Sequence, residues 1–498
     1  MKNTTKFNYA EATCSVAPQS ASQIQSIVVI GGGLAGIAAS LRLAQRGFAV
    51  TLLESKRRLG GRAGSFTRGD EKHEQEIDYC QHVGMGCCHG LLELIRMLGH
   101  EAFWDRHREL HFYGPDGKYS KLGALPFLPA PLHIAKWLTS WPGLRLRERI
   151  QVARGMLAIR ALDITDPTAL DTPALDWLHS VKQSTATIER FWATVIVSAL
   201  GETVDRVSLY AVAKVFQDGF LNQRDAFHLL VPNRPLNQLF NLTTIESLRS
   251  AGVDVRVAER VREINRGADG GFEVRGARET FAADQVIVAL PWHTLDRIKV
   301  TGPDREEQIF GELADRALEL ESSPITGLHT WWDRPWLDKP HATLVGRLCQ
   351  WVFPKTGSQT LGPFAQSERP NDEGSNAPSQ YYYQIVISAS RDLSEIPKRQ
   401  LPEVIQEDLA HVFPIVREKA SLIACEPVTD PHSVFSVRAG ASKLRSETDS
   451  GIQGLWLAGD WTQTGWPATM ESAVLSGFEA ARATEEWGVT TTTHARKT

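Results

Sequence analysis

The sequence predicts an α/β fold whose parallel sheet is assembled from distant pieces of the chain, with a second, α+β domain lying between those pieces. Three observations carry this. Ser26 to Glu54 reads strand, glycine turn, helix, strand, acid. Leu455 to Ala481, near the other end, reads strand, Gly-Asp, small-residue helix. Between them, 252–290 changes to the period of strands, while its flanks read as helices and aromatic strands.

The first stretch opens with Ile27 to Ile30, a β-branched run bounded by glycines, which suits a strand buried on both faces. Gly31, Gly33 and Gly36 follow in GxGxxG spacing. The first glycine permits a tight turn, the second lets the backbone approach a pyrophosphate, and the third lets helix and strand pack closely. Leu34 to Gln45 carries Ala and Leu at helical spacing, so the N–H groups of Leu34, Ala35 and Gly36 point at the phosphates. Gly47 ends that helix, and Phe48 to Leu53 is the second strand. Glu54 at its end, with Ser55 beside it, is placed to accept hydrogen bonds from an adenosine ribose. The arrangement predicts a Rossmann-type dinucleotide site; by itself it does not separate FAD from NAD.

Arg57 to Gly64, RRLGGRAG, brings Gly61 and the Arg62 guanidinium together, a means of presenting backbone and positive charge to a phosphate or a flavin edge. At the far end, Asp460 after Gly459 suits a ribityl hydroxyl, and the helix opened by Thr469 and Met470 can stabilise negative charge on a flavin pyrimidine. RRLGGRAG resembles the GG-motif of flavin amine oxidases and carotenoid desaturases, and LWLAGDWTQTGWPATMESAVLSGFEAA resembles their GD-plus-helix signature. The resemblance implies FAD as cofactor and an amine oxidase/phytoene desaturase-like fold, a discontinuous Rossmann-type FAD-binding domain with an α+β substrate domain. It places the FAD-binding domain at 26–105, 228–292 and 425–485. The substrate and membrane-contact domain takes 106–227 and 293–424, with a disordered leader over 1–25 and a flexible tail over 486–498. It also implies that Val261 meets the adenine through its backbone.

Composition narrows the partners. The 498 residues are 42% hydrophobic and 22% charged with a net charge of −4, an ordinary globular balance that gives no reason to expect nucleic acid. Six cysteines without a CxxC pair suit a reduced cytoplasmic protein and no metal site. No run of eighteen apolar residues predicts a membrane span.

Along the chain, Asp78 and His82 stand in IDYCQHVGMGCC. That segment resembles the DxGxH stretch of carotenoid-desaturase-like flavoproteins, with Cys80 where the pattern has glycine. HFYGPDGKY (111–119) reads as a hairpin. Leu122 to Ile159 mixes Leu, Trp, Phe and Pro with Lys136, Arg145, Arg147, Arg149 and Arg154. This suits either a surface seated at a lipid boundary or a helical cap with a solvated basic face. Helices are expected over 171–179, 187–200, 203–220, 236–249 and 306–320, and a mobile loop over 356–378.

ALPFLPAPLHIAKWL (124–138) and PITGLHTWWDRPW are similar to the hydroxysqualene dehydroxylases. That family implies removal of the hydroxyl of a C30 isoprenoid alcohol, with hydride from reduced FAD replacing it. Asp78, His82 and Glu471 are then the polar candidates near the flavin, and the regions of Trp331, Trp332, Trp336 and Trp351 the apolar pocket. The expected partners are a C30 isoprenoid lipid, the inner face of the cell membrane as a peripheral contact, and an electron donor the sequence does not identify. A carotenoid or squalene desaturase running hydride the other way stands as the alternative. A flavin amine oxidase and a redox-neutral lipid-binding flavoprotein are further readings.

Overall fold

The computed structural model describes residues 25–68, 75–355 and 380–495. The expected leader, apart from Gln25, and the 356–378 loop lie outside these residues.

Five parallel strands form the first sheet. They are β1 (Ser26–Ile30), β2 (Ala49–Leu53), β3 (Asp254–Arg256), β4 (Gln285–Val288) and β5 (Leu455–Leu457), in the order β3-β2-β1-β4-β5. Ile27 to Ile30 are all buried, as a strand covered on both faces requires. Helix α1 (Leu34–Gln45) connects β1 to β2 and buries Leu34, Ile37, Leu41 and Leu43. Two further helices complete this layer, α2 (His89–Leu98) and α3 (Met470–Ala495). Gly477 lets α3 cross α1 closely, because a Cβ there would lie 2.2 Å from the Ala35 carbonyl oxygen. α3 runs to Ala495, well past the expected start of a tail at 486.

A four-stranded sheet, Thr280–Ala283, Phe272–Arg275, Glu263–Arg266 and Lys299–Thr301, flanks the first, so this domain extends beyond the expected boundary at 292. A seven-stranded sheet builds the second domain. Its long pair is Ser322–Trp332 with Leu422–Phe435, and the expected hairpin is present as Glu109–Tyr113 with Tyr119–Gly123. The sequence boundary at 425 is corrected here: residues to 435 pair along the seven-stranded sheet with Ser322–Trp332, with register shifts between Ser323 and Ile325 and between Trp331 and Trp332.

Helices over 135–221 cover the second domain with an aromatic core of Trp137, Trp141, Phe191, Trp192, Phe216 and Phe220. Ring centroids lie 4.8 Å apart for both Trp141–Phe191 and Trp192–Phe216. Burial of each ring stabilises the layer by roughly 1.5–3 kcal/mol. Two of the indole N–H groups are satisfied: Trp141 donates to the Arg190 carbonyl and Trp192 to Gln183 Oε1, both at 2.9 Å. Three of the expected helices contain a π-turn, at Ile188–Trp192, Gln217–Leu221 and Gln238–Leu242. The helix expected over 171–179 splits at Thr172-Pro173 into Thr168–Asp171 and Ala174–Ser180.

Candidate FAD site between the two sequence signatures

The glycine loop has the geometry its spacing predicts. Gly31 has φ +110, and a Cβ there would lie 2.4 Å from the Ala289 carbonyl oxygen. A Cβ on Gly36 would lie 1.9 Å from the Gly31 carbonyl oxygen. Gly33 differs: a Cβ there would meet nothing within 4 Å, which is the open side a pyrophosphate needs. α1 starts at Leu34 with no side-chain cap and no acid in its first turn. The N–H groups of Leu34, Ala35 and Gly36 are therefore available to an anion at the helix terminus. These features fit FAD.

Glu54 is buried and holds the loop from below. Its Oε2 accepts from the Gly32 N–H at 2.8 Å, and its Oε1 accepts from the Lys56 N–H at 2.7 Å and from Ser55 Oγ at 3.1 Å. The segment leading to Val261 lies alongside: the Ala258 N–H donates to the Lys56 carbonyl and the Glu259 N–H to that of Glu54. The GG turn closes the loop from above. The Gly60 N–H donates to the Gly32 carbonyl at 2.8 Å, and a Cβ on Gly61 would lie 3.1 Å from the Gly33 Cα. The π-turn Gln238–Leu242 packs beneath, where Asn241 Oδ1 accepts from the Leu59 N–H at 3.0 Å.

The two distant signatures meet in one ion pair. Arg62 Nη2 donates to Asp460 Oδ1, and Arg62 Nη1 donates to the Ser433 carbonyl of the seven-stranded sheet at 2.8 Å. Gly459 precedes Asp460 with φ +147, and its N–H donates to Ser476 Oγ at 2.8 Å. Thr469 Oγ1 accepts from the Ser472 N–H at 3.1 Å, capping the start of α3 beside Met470. Sequence reasoning missed Arg445, which is buried and donates to the carbonyls of Asp460, Trp461 and Thr462. Burial lowers its pKa to about 10. Nothing in the local sequence marks it, since its partners lie in a different element.

The three polar candidates are placed as follows. Asp78 is buried; its Oδ1 accepts from Ser65 Oγ at 2.6 Å and from the Leu236 N–H at 2.8 Å, while Oδ2 has no partner among the described residues. His82 Nδ1 lies 3.0 Å from the Cys80 carbonyl oxygen, and burial lowers its pKa. Glu471 accepts from the N–H groups of Gly90 and Leu91 with its two oxygens, at 2.9 and 2.7 Å. Burial raises its pKa to about 7. Glu471 thus caps the start of α2, with both oxygens engaged by backbone.

The aromatic expectation needs correcting. Trp332 and Trp336 belong to the core against the helix Leu401–Ala410, and Trp336 stacks on Tyr383 at 4.3 Å. Adjacent strand residues face opposite ways, so Trp331 lies on the other face, with Ile77 and Tyr382. Trp351 is half-buried on its own strand. On Trp331's side the fold gathers proton-bearing groups that the sequence did not connect. Tyr382 Oη lies 2.7 Å from His329 Nδ1, Gln384 donates to the Asp78 carbonyl at 3.3 Å, and Lys355 pairs opposite Tyr382. Burial lowers the Lys355 pKa and raises that of Cys80 to about 12, and Asp78 acts electrostatically on both.

Comparisons with known proteins identify the family. Residues 34–484 match the model of the flavin containing amine oxidoreductase family. The 15-cis-phytoene desaturase of Solanum lycopersicum is 24% identical, covering 96% of this chain and 81% of its own. The hydroxysqualene dehydroxylase of Zymomonas mobilis is 23% identical, covering 91% and 97%. Among solved structures, an oxidoreductase from Methanosarcina mazei superposes with a TM-score of 0.65 at 15% identity over 92% of this chain and all of that one. A redesigned putrescine oxidase gives 0.62 at 14% identity over 93% and 99%. The chain belongs to the flavin-containing amine oxidoreductase family and is a flavin-dependent oxidoreductase with FAD as its cofactor.

Proposed function

We propose that the protein reductively removes the hydroxyl group of hydroxysqualene, a C30 isoprenoid alcohol, to give squalene. The observation that carries this reading is a set of proton-bearing side chains, buried Asp78 and Tyr382 with half-buried Cys80 and Lys355, gathered with His329 and Gln384 on the face that also holds Ile77 and Trp331. An allylic carbinol needs a proton on its oxygen before water can leave, and the carbon left behind needs a dry, polarisable surround. Bound FAD in its two-electron reduced form supplies the hydride that completes the new C–H bond. The chain's own work is to exclude water, align the carbinol carbon and deliver the proton. Lys355 and Tyr382 bring proton carriers to one end of the substrate sheet, and the Tyr382–His329 contact offers a path for a replacement proton. The similarity to the dehydroxylase along nearly its whole length supports the same reading.

The similarity to phytoene desaturases favours a second reading, in which a carotenoid or squalene gives hydride to oxidised FAD. One anaerobic experiment separates the two. Reduced enzyme is mixed with hydroxysqualene, and oxidised enzyme with squalene or a carotene, while the flavin spectrum and products are followed. Reoxidation with squalene formed is the expected result. Bleaching of oxidised flavin with new conjugated double bonds would replace the first reading by the second.

A further inference from the structure

The loop after the hairpin strand Tyr119–Gly123 holds an aromatic ring in water. Phe127 is 96% exposed at φ +64, a backbone region that a bulky side chain rarely adopts. The conformation is held from inside. Arg224 donates to the carbonyls of Leu125 and Leu128, on either side of Phe127, at 3.0 and 2.9 Å, and the Leu125 N–H donates to the His133 carbonyl at 2.8 Å. Leu128 and Leu132 are exposed on the same loop.

The helix Leu146–Ala161, after the short helix Ala135–Ser140, carries a second apolar stripe. Leu146, Ile150 and Leu157 are exposed, and 3.6 residues per turn puts them within roughly 40° of one another. Exposed Arg147 and Arg154 flank the stripe on one side and Arg160 on the other, while Val152, Met156 and Ile159 bury the far face. Long cationic side chains beside an apolar stripe let the stripe enter a bilayer while their charges remain at headgroup level.

Arg224 also lines a cleft next to the loop, with Arg108, Glu109, Gly123, Ala124, Asp225 and His228. Its two acids are already paired, Glu109 with Lys121 at 2.6 Å and Asp225 with Arg106 at 3.3 Å. Arg108 forms no ion pair among the described residues, so the charge of the cleft comes from Arg108 and Arg224, while His228 Nδ1, buried without a hydrogen-bond partner there, adds a neutral polar atom because burial lowers its pKa. The cleft therefore presents uncompensated positive charge at the root of an apolar wedge.

We propose that the Phe127 loop and the Leu146–Ala161 helix form one bilayer-seating face, with the Arg108–Arg224–His228 cleft taking the phosphate of an anionic lipid headgroup. The proposal stands apart from the reaction proposed above, and neither test decides the other.

The full chain loaded with FAD is floated on density gradients with vesicles of phosphatidylcholine alone or mixed with phosphatidylglycerol. Wild type floats with the mixed vesicles. Arg108→Glu weakens that binding by roughly fivefold or more and leaves binding to phosphatidylcholine alone unchanged. Phe127→Ser weakens binding to both by roughly tenfold. Each variant must keep its flavin absorbance and melting temperature. Arg224→Met, which frees the loop without removing Phe127, should weaken binding as well. Wild type that does not float, or Phe127→Ser that floats as wild type does, overturns the proposal. Release of wild type from vesicles by inorganic phosphate alone would assign the cleft to free phosphate instead. A dimer that Phe127→Ser dissociates, without vesicle binding, would assign the face to a second copy of the chain.

Discussion

The parallel sheet and the seven-stranded sheet treat their polar groups differently. Around the glycine loop, Glu54, Asn241 and Ser476 each bind a neighbouring backbone group, and the N–H groups left over point into the open space beside Gly33. In the seven-stranded sheet, buried polar atoms remain without partners among the described residues, including both ring nitrogens of His341, Trp331 Nε1 and Thr343 Oγ1. In the first region side chains and turns pair the loop's backbone groups and leave one open space, beside Gly33. The second carries the cost of polar atoms left without partners among the described residues.

The contrast is broken most strongly within the glycine loop. Gly36→Val drives a side chain into the Gly31 carbonyl and should destabilise the protein by about 3 kcal/mol or more, visible in denaturant unfolding. Gly33→Val meets no protein atom within 4 Å at its Cβ. The apoprotein should melt within about 0.5 kcal/mol of wild type while purifying without flavin absorbance. Yellow Gly33→Val protein would show that the open space is not the pyrophosphate site. Asp460→Ala removes the ion pair joining the two signatures, and the Kd for FAD should rise roughly tenfold to a hundredfold by fluorescence titration.

A smaller, pH-dependent difference belongs to the other sheet. Burial beside His111 and His107 pushes the His341 pKa down from 6.5 to about 3. Between those values the unfolded chain binds a proton that the folded one refuses. Stability is therefore full above about pH 6.5 and lost as the pH falls toward 3. His341→Phe keeps an aromatic ring beside Trp351 and Phe353 and should remove a slope of up to about 1.4 kcal/mol per pH unit. Melting curves at pH 5 and pH 7 that shift equally in variant and wild type would rule this out.

The sequence by itself determined the cofactor half of the protein. Gly31, Gly33, Gly36 and Glu54 lie in one short motif whose geometry depends on neighbours close in sequence, so spacing carries it, whereas Arg62 and Asp460 sit in separate motifs and are paired only by the fold. Tertiary structure decided what long-range pairing controls. The Leu422–Phe435 strand joined the seven-stranded sheet, Trp332 and Trp336 turned into a core while Trp331 faced the other way, and Glu471 capped α2 from the far end of the chain. Arg445 and the Lys355–Tyr382 group became visible only once folded, because each takes its role from residues distant in sequence and brought near by sheet register. Local backbone conformation can be read from local sequence, whereas the surroundings of a buried side chain are set by which elements pack against it.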